Sequence, residues 1–347
     1  MTHAAFFPGF EASRPEEHLV DDLDRALEVA DHGAPTASKQ LSRSSVPREL
    51  LGKPTIPRLV RYALSDWAVI ALCWAAILHT PYWLYPLWAI LLAGRFHAFG
   101  VILHDATHMP LRGKSIGVRA VEVLAGFPIA STLNAMRYHH LRHHRDSGMP
   151  SDPYFKSSVR GRPLMFVLVW LRHLLLVPFW TIRGPFGLLA VVFPRMRTPY
   201  ARAFLQDRSG RDLTGDPEVL ACARAELGQV TAHAALFTFT ALHPETALYF
   251  YFVPVTLSGL FAGYRVLREH NYLPATDRTM TTILATTTDH NLGHVGRLFF
   301  APRNIGYHIV HHLHPQVALE NLPRLRAWYS AHHAGSYPAP YGRERAR

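Results

Sequence analysis

The sequence predicts an all-α integral membrane protein with two transmembrane helical hairpins, interfacial helices and a cytosolic cap rich in histidine. Two observations support this fold class. Hydrophobic residues make up 49% of the 347 residues, and after residue 65 they gather into near-continuous apolar blocks that soluble enzymes of this size rarely carry. Histidines form three clusters with the three- and four-residue spacing that places side chains on one face of a helix.

Composition divides the chain into three parts. Residues 1–60 are polar and predict a flexible cytosolic region. Residues 61–335 contain every apolar block and all three histidine clusters, and therefore predict one membrane-embedded domain. Residues 336–347 predict a basic C-terminal tail.

The first apolar block, residues 66–99, is interrupted by His79-Thr80-Pro81-Tyr82. Because proline with polar neighbours ends a helix, the block predicts two helices, at residues 67–78 and 83–103, joined by a tight turn. The second helix has close to the roughly 20 residues that a span needs. It leads directly into the first histidine cluster.

The middle of the chain is less regular. Residues 118–132 are too short to span and predict an interfacial helix. Residues 163–193 are more apolar but contain Arg172, His173 and Arg183. Because a charge at mid-span is costly, this segment predicts interfacial or broken helices. Residues 195–216 predict a polar cytosolic loop.

Residues 228–242 and 246–263 predict a second hairpin, which turns at His243-Pro244-Glu245. Neither hairpin turn contains Lys or Arg, whereas the opposite ends of the helices are rich in basic residues, mainly Arg. Because cytoplasmic loops of membrane proteins collect Lys and Arg, both turns are predicted to lie outside. Both termini and all three histidine clusters are then predicted on the cytosolic side.

The formal charge of +11 does not indicate a nucleic-acid partner. The sequence has no RNP-type aromatic motif, no zinc-finger spacing and no basic helix with heptads. The only cysteines are Cys73 and Cys222, far apart and without a CxxC motif. Neither a thiolate metal site nor a disulfide framework is therefore expected.

The histidine clusters predict a metal site with two ions, since three converging helical faces would supply about eight imidazoles, too many for one ion. Imidazole suits Zn, Cu, Fe and Ni, but zinc normally takes four ligands, and the zinc-protease motif His-Glu-x-x-His is absent. We therefore expect two iron ions in an all-histidine shell at a membrane surface. The clusters are His104 and His108; His140, His143 and His144; and His308, His311 and His312.

Acidic residues near these histidines are candidates for orienting them. Asp105, Glu269 and Asp289 are expected to accept the second imidazole N–H and so fix the orientation of the rings. Asp146 and Asp152 fit this role and that of solvated loop acids equally well.

The motifs His104-x-x-x-His108, His140-x-x-His143-His144 and His308-x-x-His311-His312 resemble the three histidine boxes of the membrane fatty acid desaturase superfamily. That superfamily includes acyl desaturases and related hydroxylases and carotenoid-modifying enzymes. The resemblance runs from about residue 66 to Tyr329 and includes the closing Asn321-Leu322-Pro323. It implies a desaturase-like domain with a di-iron centre that activates O₂, using electrons from an external carrier.

Members of this superfamily often have a further histidine ligand between the last spanning helix and the third box. The resemblance assigns this role to His270, which follows the second hairpin directly. His290 and His294, four residues apart before the third box, are rivals for it. His139 is expected to be a neighbour of the second box.

The resemblance implies oxygen-dependent desaturation of a fatty-acyl chain or lipid. The alternative is a lipid or carotenoid hydroxylase or ketolase with the same di-iron centre. The histidine boxes do not distinguish a desaturase from these enzymes, because all of them need the same oxidant. A membrane metal carrier is more remote, since transport sites usually lie near mid-membrane. The chain has neither a haem-binding His-Pro-Gly-Gly segment nor a four-cysteine cluster, so the electron donor is expected to be a separate ferredoxin or cytochrome.

Overall fold

The computed structural model describes residues 45–109, 115–333 and 337. Most of the polar region predicted at residues 1–60, and nearly all of the tail predicted at residues 336–347, lie outside the described residues. The regular secondary structure of the described part is helical, as predicted, apart from one isolated β-bridge.

The helices of the described residues are α1 Ile56–His79, α2 Tyr85–Thr107, α3 Ile116–Val121, α4 Leu133–Asp146, α5 Pro163–Arg172, α6 Leu176–Val192, α7 Arg197–Phe204, α8 Pro217–Leu242, α9 Pro244–Ala247, α10 Val253–Glu269, α11 Met280–Thr286, α12 His294–Phe299, α13 His308–Leu313 and α14 Leu322–His332. Short turns of 3-10 or π-helix join or extend several of them, at Tyr82–Leu84, Glu122–Gly126, Phe127–Ile129, His173–Leu175 and Leu248–Phe252.

Four described segments are long and apolar enough to cross a membrane: Ile56–His79, Tyr82–Thr107, Pro163–Val192 and Pro244–Glu269. They make the chain a multi-pass membrane protein. The first two form the first predicted hairpin, and the last contains the second helix of the second hairpin. Pro163–Val192 differs from the expectation of interfacial helices, although the 3-10 turn at His173–Leu175 does interrupt it.

A buried ion pair explains how this segment accommodates a charge. Arg183 Nε donates to Glu226 Oε1 of α8 at 2.7 Å, and Arg183 Nη2 donates to Gln229 Oε1 at 2.9 Å and to the Ala130 carbonyl at 3.2 Å. The Tyr200 hydroxyl donates to the same glutamate oxygen at 2.9 Å. The counter-charge comes from a partner helix, which the local hydropathy of residues 163–193 does not reveal.

The second hairpin consists of α8, the short α9 and α10, and its turn lies at His243, as predicted. Helix α8 contains the predicted segment 228–242 but begins earlier, at Pro217, where the Asp216 side chain accepts the backbone N–H groups of Glu218 and Val219. The polar first half of α8 keeps this helix out of the set that is apolar enough to span.

Helix α10 packs along α2 and against the turn at His173–Leu175. Gly259 and Gly263, four residues apart on α10, make this approach close. A Cβ on Gly259 would collide with the His173 carbonyl oxygen, and one on Gly263 would collide with the His173 ring. Because α10 packs on α2, His270, which follows α10, is brought near the first histidine cluster at the end of α2.

The second histidine cluster lies on α4, which follows a sharp bend. The segment Ile116–Ile129 and α4 meet at 83°. Ala130 has a positive φ of 56° at this corner, and Thr132 caps α4 by accepting the Ala135 N–H at 3.2 Å. The Glu122 side chain accepts the Leu133 N–H at 3.0 Å, so the corner is held by side chains on both sides.

Candidate metal centre

Three helices and one extended residue position the histidines. Helix α2 carries His104 in its last turn, with His108 just beyond its end. Helix α4 carries the second cluster and α13 carries the third. His270 follows α10 in extended backbone, with φ −132° and ψ 145°, and pairs with Thr287 in the isolated β-bridge.

Nine buried histidines form two adjacent groups, and within each group the candidate ligand atoms lie within 4.8 Å of one another. Helices α4 and α13 contribute to both groups. The rings of His144 and His312, one from each group, are 4.3 Å apart. The first group is His104, His108, His140, His144 and His311, and the second group is His143, His270, His308 and His312.

The spacing of the nitrogen atoms fits metal ions. The Nε2 atoms are 2.9 Å apart in His108 and His140 and 3.0 Å apart in His140 and His144. Two nitrogens that are each about 2.1 Å from a shared ion, at right angles, would lie about 3.0 Å apart. Both ring nitrogens of His104 are buried without a hydrogen-bond partner in the described part of the chain, and an ion would satisfy one of them. The donor set therefore fits two cations.

Burial keeps the imidazoles in the form that binds metal. Burial lowers the pKa of His270 to about 3, and the neighbouring His143 adds to this shift. Burial also lowers the pKa of His311 to about 3, against the opposing charge of Glu269. These histidines are therefore neutral at physiological pH, as metal ligands must be.

Asp152 and Tyr154 support the second group from the loop after α4. The Nδ1–H of His143 donates to Asp152 Oδ1 at 2.8 Å. The same carboxylate accepts the backbone N–H of Tyr154 at 2.8 Å and that of Gly148 at 2.9 Å. The Tyr154 ring stacks on His143 at a centroid distance of 4.5 Å. Held in this way, His143 presents Nε2 to the group.

Glu269 lies beside the second group. Its Oε1 is 3.4 Å from His308 Nδ1 and 3.7 Å from His290 Nε2, and it accepts a hydrogen bond from Arg265 at 2.9 Å. Arg265 provides a counter-charge for this buried carboxylate.

The other two acidic candidates contact backbone groups. Asp289 accepts the N–H of Ile309 at 3.0 Å at the start of α13, together with hydrogen bonds from Arg326 at 2.9 Å and Tyr337 at 3.0 Å. Asp289 therefore fixes the position of α13, the helix that carries the third box. Among the described residues it makes no hydrogen bond to an imidazole ring. Asp105 is buried and hydrogen-bonds to the backbone of Leu319.

The three remaining histidine candidates lie outside both groups. His139 Nδ1 is 2.6 Å from the Tyr154 hydroxyl. His290 Nδ1 is 2.8 Å from Asn291 Nδ2, and its backbone packs so closely on Gly306 that a Cβ there would collide with the His290 carbonyl. His294 is exposed at the start of α12. Of the candidates for the further position, the structure brings only His270 into a group.

Two residues that contact the histidine groups could not be predicted from the histidine motifs. Tyr154 contacts both His143 and His139, and its closeness in sequence to the second box is the only hint. Arg278 Nη2 lies 3.2 Å from His312 Nδ1. It comes from the loop before α11, which no spacing rule connects to the third box.

A cavity of about 710 Å³ adjoins the first group, and His104 forms part of its wall. Phe96, Ile129 and Met136 are among its apolar lining residues. A second cavity of about 440 Å³ lies beyond and is almost wholly apolar; Tyr251 lines it. The rings of Phe96 and Tyr251 meet edge to face at 5.6 Å, so this pair stands between the two cavities.

Comparison with known proteins agrees with this geometry. The model of the fatty acid desaturase family matches residues 80–344, a range that contains all nine histidines. A dihydrorhizobitoxine desaturase of Bradyrhizobium elkanii is 35% identical over 98 residues. That match spans 27% of this chain and 28% of the relative's length. Because the family model covers well over half of the sequence, this chain belongs to the fatty acid desaturase family and is an oxidoreductase of that family.

Proposed function

We propose that this protein is an oxygen-dependent desaturase that introduces a double bond into a fatty-acyl chain or lipid. In this proposal the nine histidines hold two iron ions, five ligands for one and four for the other. The observation that carries the proposal is the pair of buried all-nitrogen groups beside a cavity that includes His104 in its wall.

The residues of the chain divide the work as follows. Bound iron would supply the activation of O₂ and the removal of hydrogen from an unactivated C–H bond, which amino-acid side chains cannot do. Phe96, Ile129 and Met136 provide apolar walls that hold an acyl chain against His104 and exclude water. Asp152 holds the ring of His143 in place through a hydrogen bond, and Glu269 places a carboxylate oxygen 3.4 Å from His308 Nδ1.

Electrons come from a separate carrier protein, of ferredoxin or cytochrome type, that docks on the basic cytosolic face. The distribution of Lys and Arg along the sequence supports an orientation with both termini and the histidines on the cytosolic side. The name of the Bradyrhizobium elkanii relative, a desaturase, favours desaturation over the hydroxylase or ketolase alternative.

The test is a mass-spectrometric lipid profile of host membranes with and without the expressed chain. Acyl chains lighter by two hydrogens are expected, and fragmentation would place the double bond. A product heavier by one oxygen would instead identify a hydroxylase. His143→Ala should abolish the product while leaving membrane insertion intact, whereas the exposed His294→Ala is the matched control. Full turnover by His143→Ala would contradict the assignment of this residue to the metal centre.

A further inference from the structure

The cavity beside the histidines has a basic region that the metal chemistry does not use. None of the residues that line this cavity, as far as the chain is described, is Asp or Glu. Its lining residues include the cations Lys156, Arg172 and Arg208 and the uncharged Ser157, Ser158 and Gln206. We call Lys156, Arg172 and Arg208 the basic cluster.

The basic cluster lacks carboxylate partners among the described residues. Lys156 Nζ donates to the Tyr154 carbonyl at 3.1 Å, and Arg208 Nη1 donates to the Asp152 carbonyl at 2.7 Å. These acceptors are neutral and leave the charges unbalanced. Arg172 makes no hydrogen bond or ion pair within the described ranges. The basic cluster therefore has donors available for a ligand.

Arg265 provides a contrast within the same cavity. It also lines the wall, but Glu269 pairs with it at 2.9 Å. This cation therefore has a carboxylate partner, whereas the three of the basic cluster have none among the described residues.

The charges of the basic cluster act on one another. Burial lowers the pKa of Lys156 to about 8; the charge of Asp152 opposes this shift, and the charges of Arg172 and Arg208 add to it. An anion placed among the three side chains would relieve this repulsion, because an opposite charge nearby favours the protonated ammonium.

The basic cluster lies close to the histidines. Lys156 Nζ is 5.9 Å from the centre of the Tyr154 ring, and that ring is 4.5 Å from the ring of His143. The ammonium is therefore within about 10 Å of the second group. A ligand held by the basic cluster shares one compartment with the proposed reaction centre.

We propose that the basic cluster binds the anionic head group, a carboxylate or a phosphate, of a single-chain amphiphile whose chain occupies the apolar part of the cavity. Ammonium and guanidinium groups recognise both anions through charge-assisted hydrogen bonds. Met136, Val177 and Trp180 provide apolar wall for the chain. This inference rests on the proposed function, because it names the class of substrate.

The experiment measures binding of tritiated palmitate to the purified full-length protein in detergent, with unlabelled competitors of equal chain length. Palmitate and hexadecyl phosphate should compete at least about tenfold better than the neutral palmitamide. Arg172→Gln and Lys156→Gln should each weaken palmitate binding about tenfold and leave palmitamide unaffected. Arg162→Gln is the matched control, since this exposed arginine precedes α5 and does not line the cavity.

The competitors also distinguish the source of the anion. Stronger competition by palmitate would point to a free carboxylate, and stronger competition by hexadecyl phosphate would point to a phosphate-bearing head group. Equal competition by palmitamide would overturn the inference, and so would unchanged palmitate binding in both cluster variants. Circular dichroism would confirm that each variant is folded.

This design distinguishes failure of the head-group proposal from failure of the desaturase proposal. A preference for anions without any new product in the lipid profile would count against the desaturase function alone. A new double bond without a preference for anions would leave the desaturase function standing and reject the basic cluster as the head-group site.

Discussion

Replacing Asp152 by alanine should weaken metal binding by the second histidine group. The carboxylate accepts hydrogen bonds from His143 Nδ1 at 2.8 Å and from the backbone of Tyr154 and Gly148 at 2.8 and 2.9 Å. Alanine removes all three and leaves His143 Nδ1 without its hydrogen-bond acceptor. Loss of such a partner typically lowers metal affinity 10–100-fold, which corresponds to about 1.4–2.7 kcal/mol.

Asparagine at the same position should separate two effects. Its amide oxygen can replace Oδ1 and keep the hydrogen bonds from His143 and Tyr154. Its NH₂ group would then face the Gly148 N–H, donor against donor, and one unsatisfied buried N–H costs about 1–3 kcal/mol. Asp152→Asn should therefore lose stability but retain most of its affinity for iron.

The assay is the iron content of the purified full-length protein after equilibration with increasing chelator concentrations. The control is Asp146→Asn, because the Asp146 carboxylate pairs with Arg145 through two hydrogen bonds of 2.7 Å and supports no histidine in the described structure. If Asp152→Ala held iron as tightly as the wild type, with unchanged helix content, Asp152 would not be what orients His143.

Four further predictions follow from the packing. Arg183→Met or Glu226→Met alone should lower stability by about 3–5 kcal/mol because each leaves a buried charge unpaired, whereas the double variant should lose much less; thermal unfolding in detergent checks this. Tyr251→Ala should join the two cavities and shift the products toward longer acyl chains in the lipid profile, whereas Tyr249→Ala, an exposed neighbour, should not. Removing iron by chelation should lower the unfolding temperature, and adding iron back should restore it, since metal binding is coupled to folding. Asp289→Ala should reduce the iron content of both groups in the same chelator assay, because it removes the carboxylate that accepts the Ile309 N–H at the start of α13.

Local periodicity accounts for what the sequence predicted well. Residues three and four apart share a helical face whatever the rest of the chain does, so the eight histidines of the three boxes could be named in advance. The ninth, His270, needed the family resemblance, because a single histidine in an extended segment has no spacing to mark it. Their division into five and four depends on how α2, α4 and α13 meet, which no local pattern contains.

Long-range partners account for what the sequence could not predict. Arg183 reads as a costly charge in residues 163–193, since its counter-ion Glu226 lies 43 residues away. The sequence left two roles open for Asp152, an acid that orients a histidine and a solvated loop acid. In the structure a loop turn brings its carboxylate to His143. Asp289 is the opposite case. It lies close to histidines in the sequence, but its carboxylate accepts the backbone N–H of Ile309.

Helices α4 and α13 each supply ligands to both histidine groups, so the two sites cannot evolve or be engineered as independent modules. One residue inserted between His140 and His144 would turn the two ends of α4 by about 100° relative to each other. That rotation would displace ligands of both sites at once. The spacing within the second and third boxes is therefore a shared constraint, and a lineage that lost either site by such a change would lose the other in the same step.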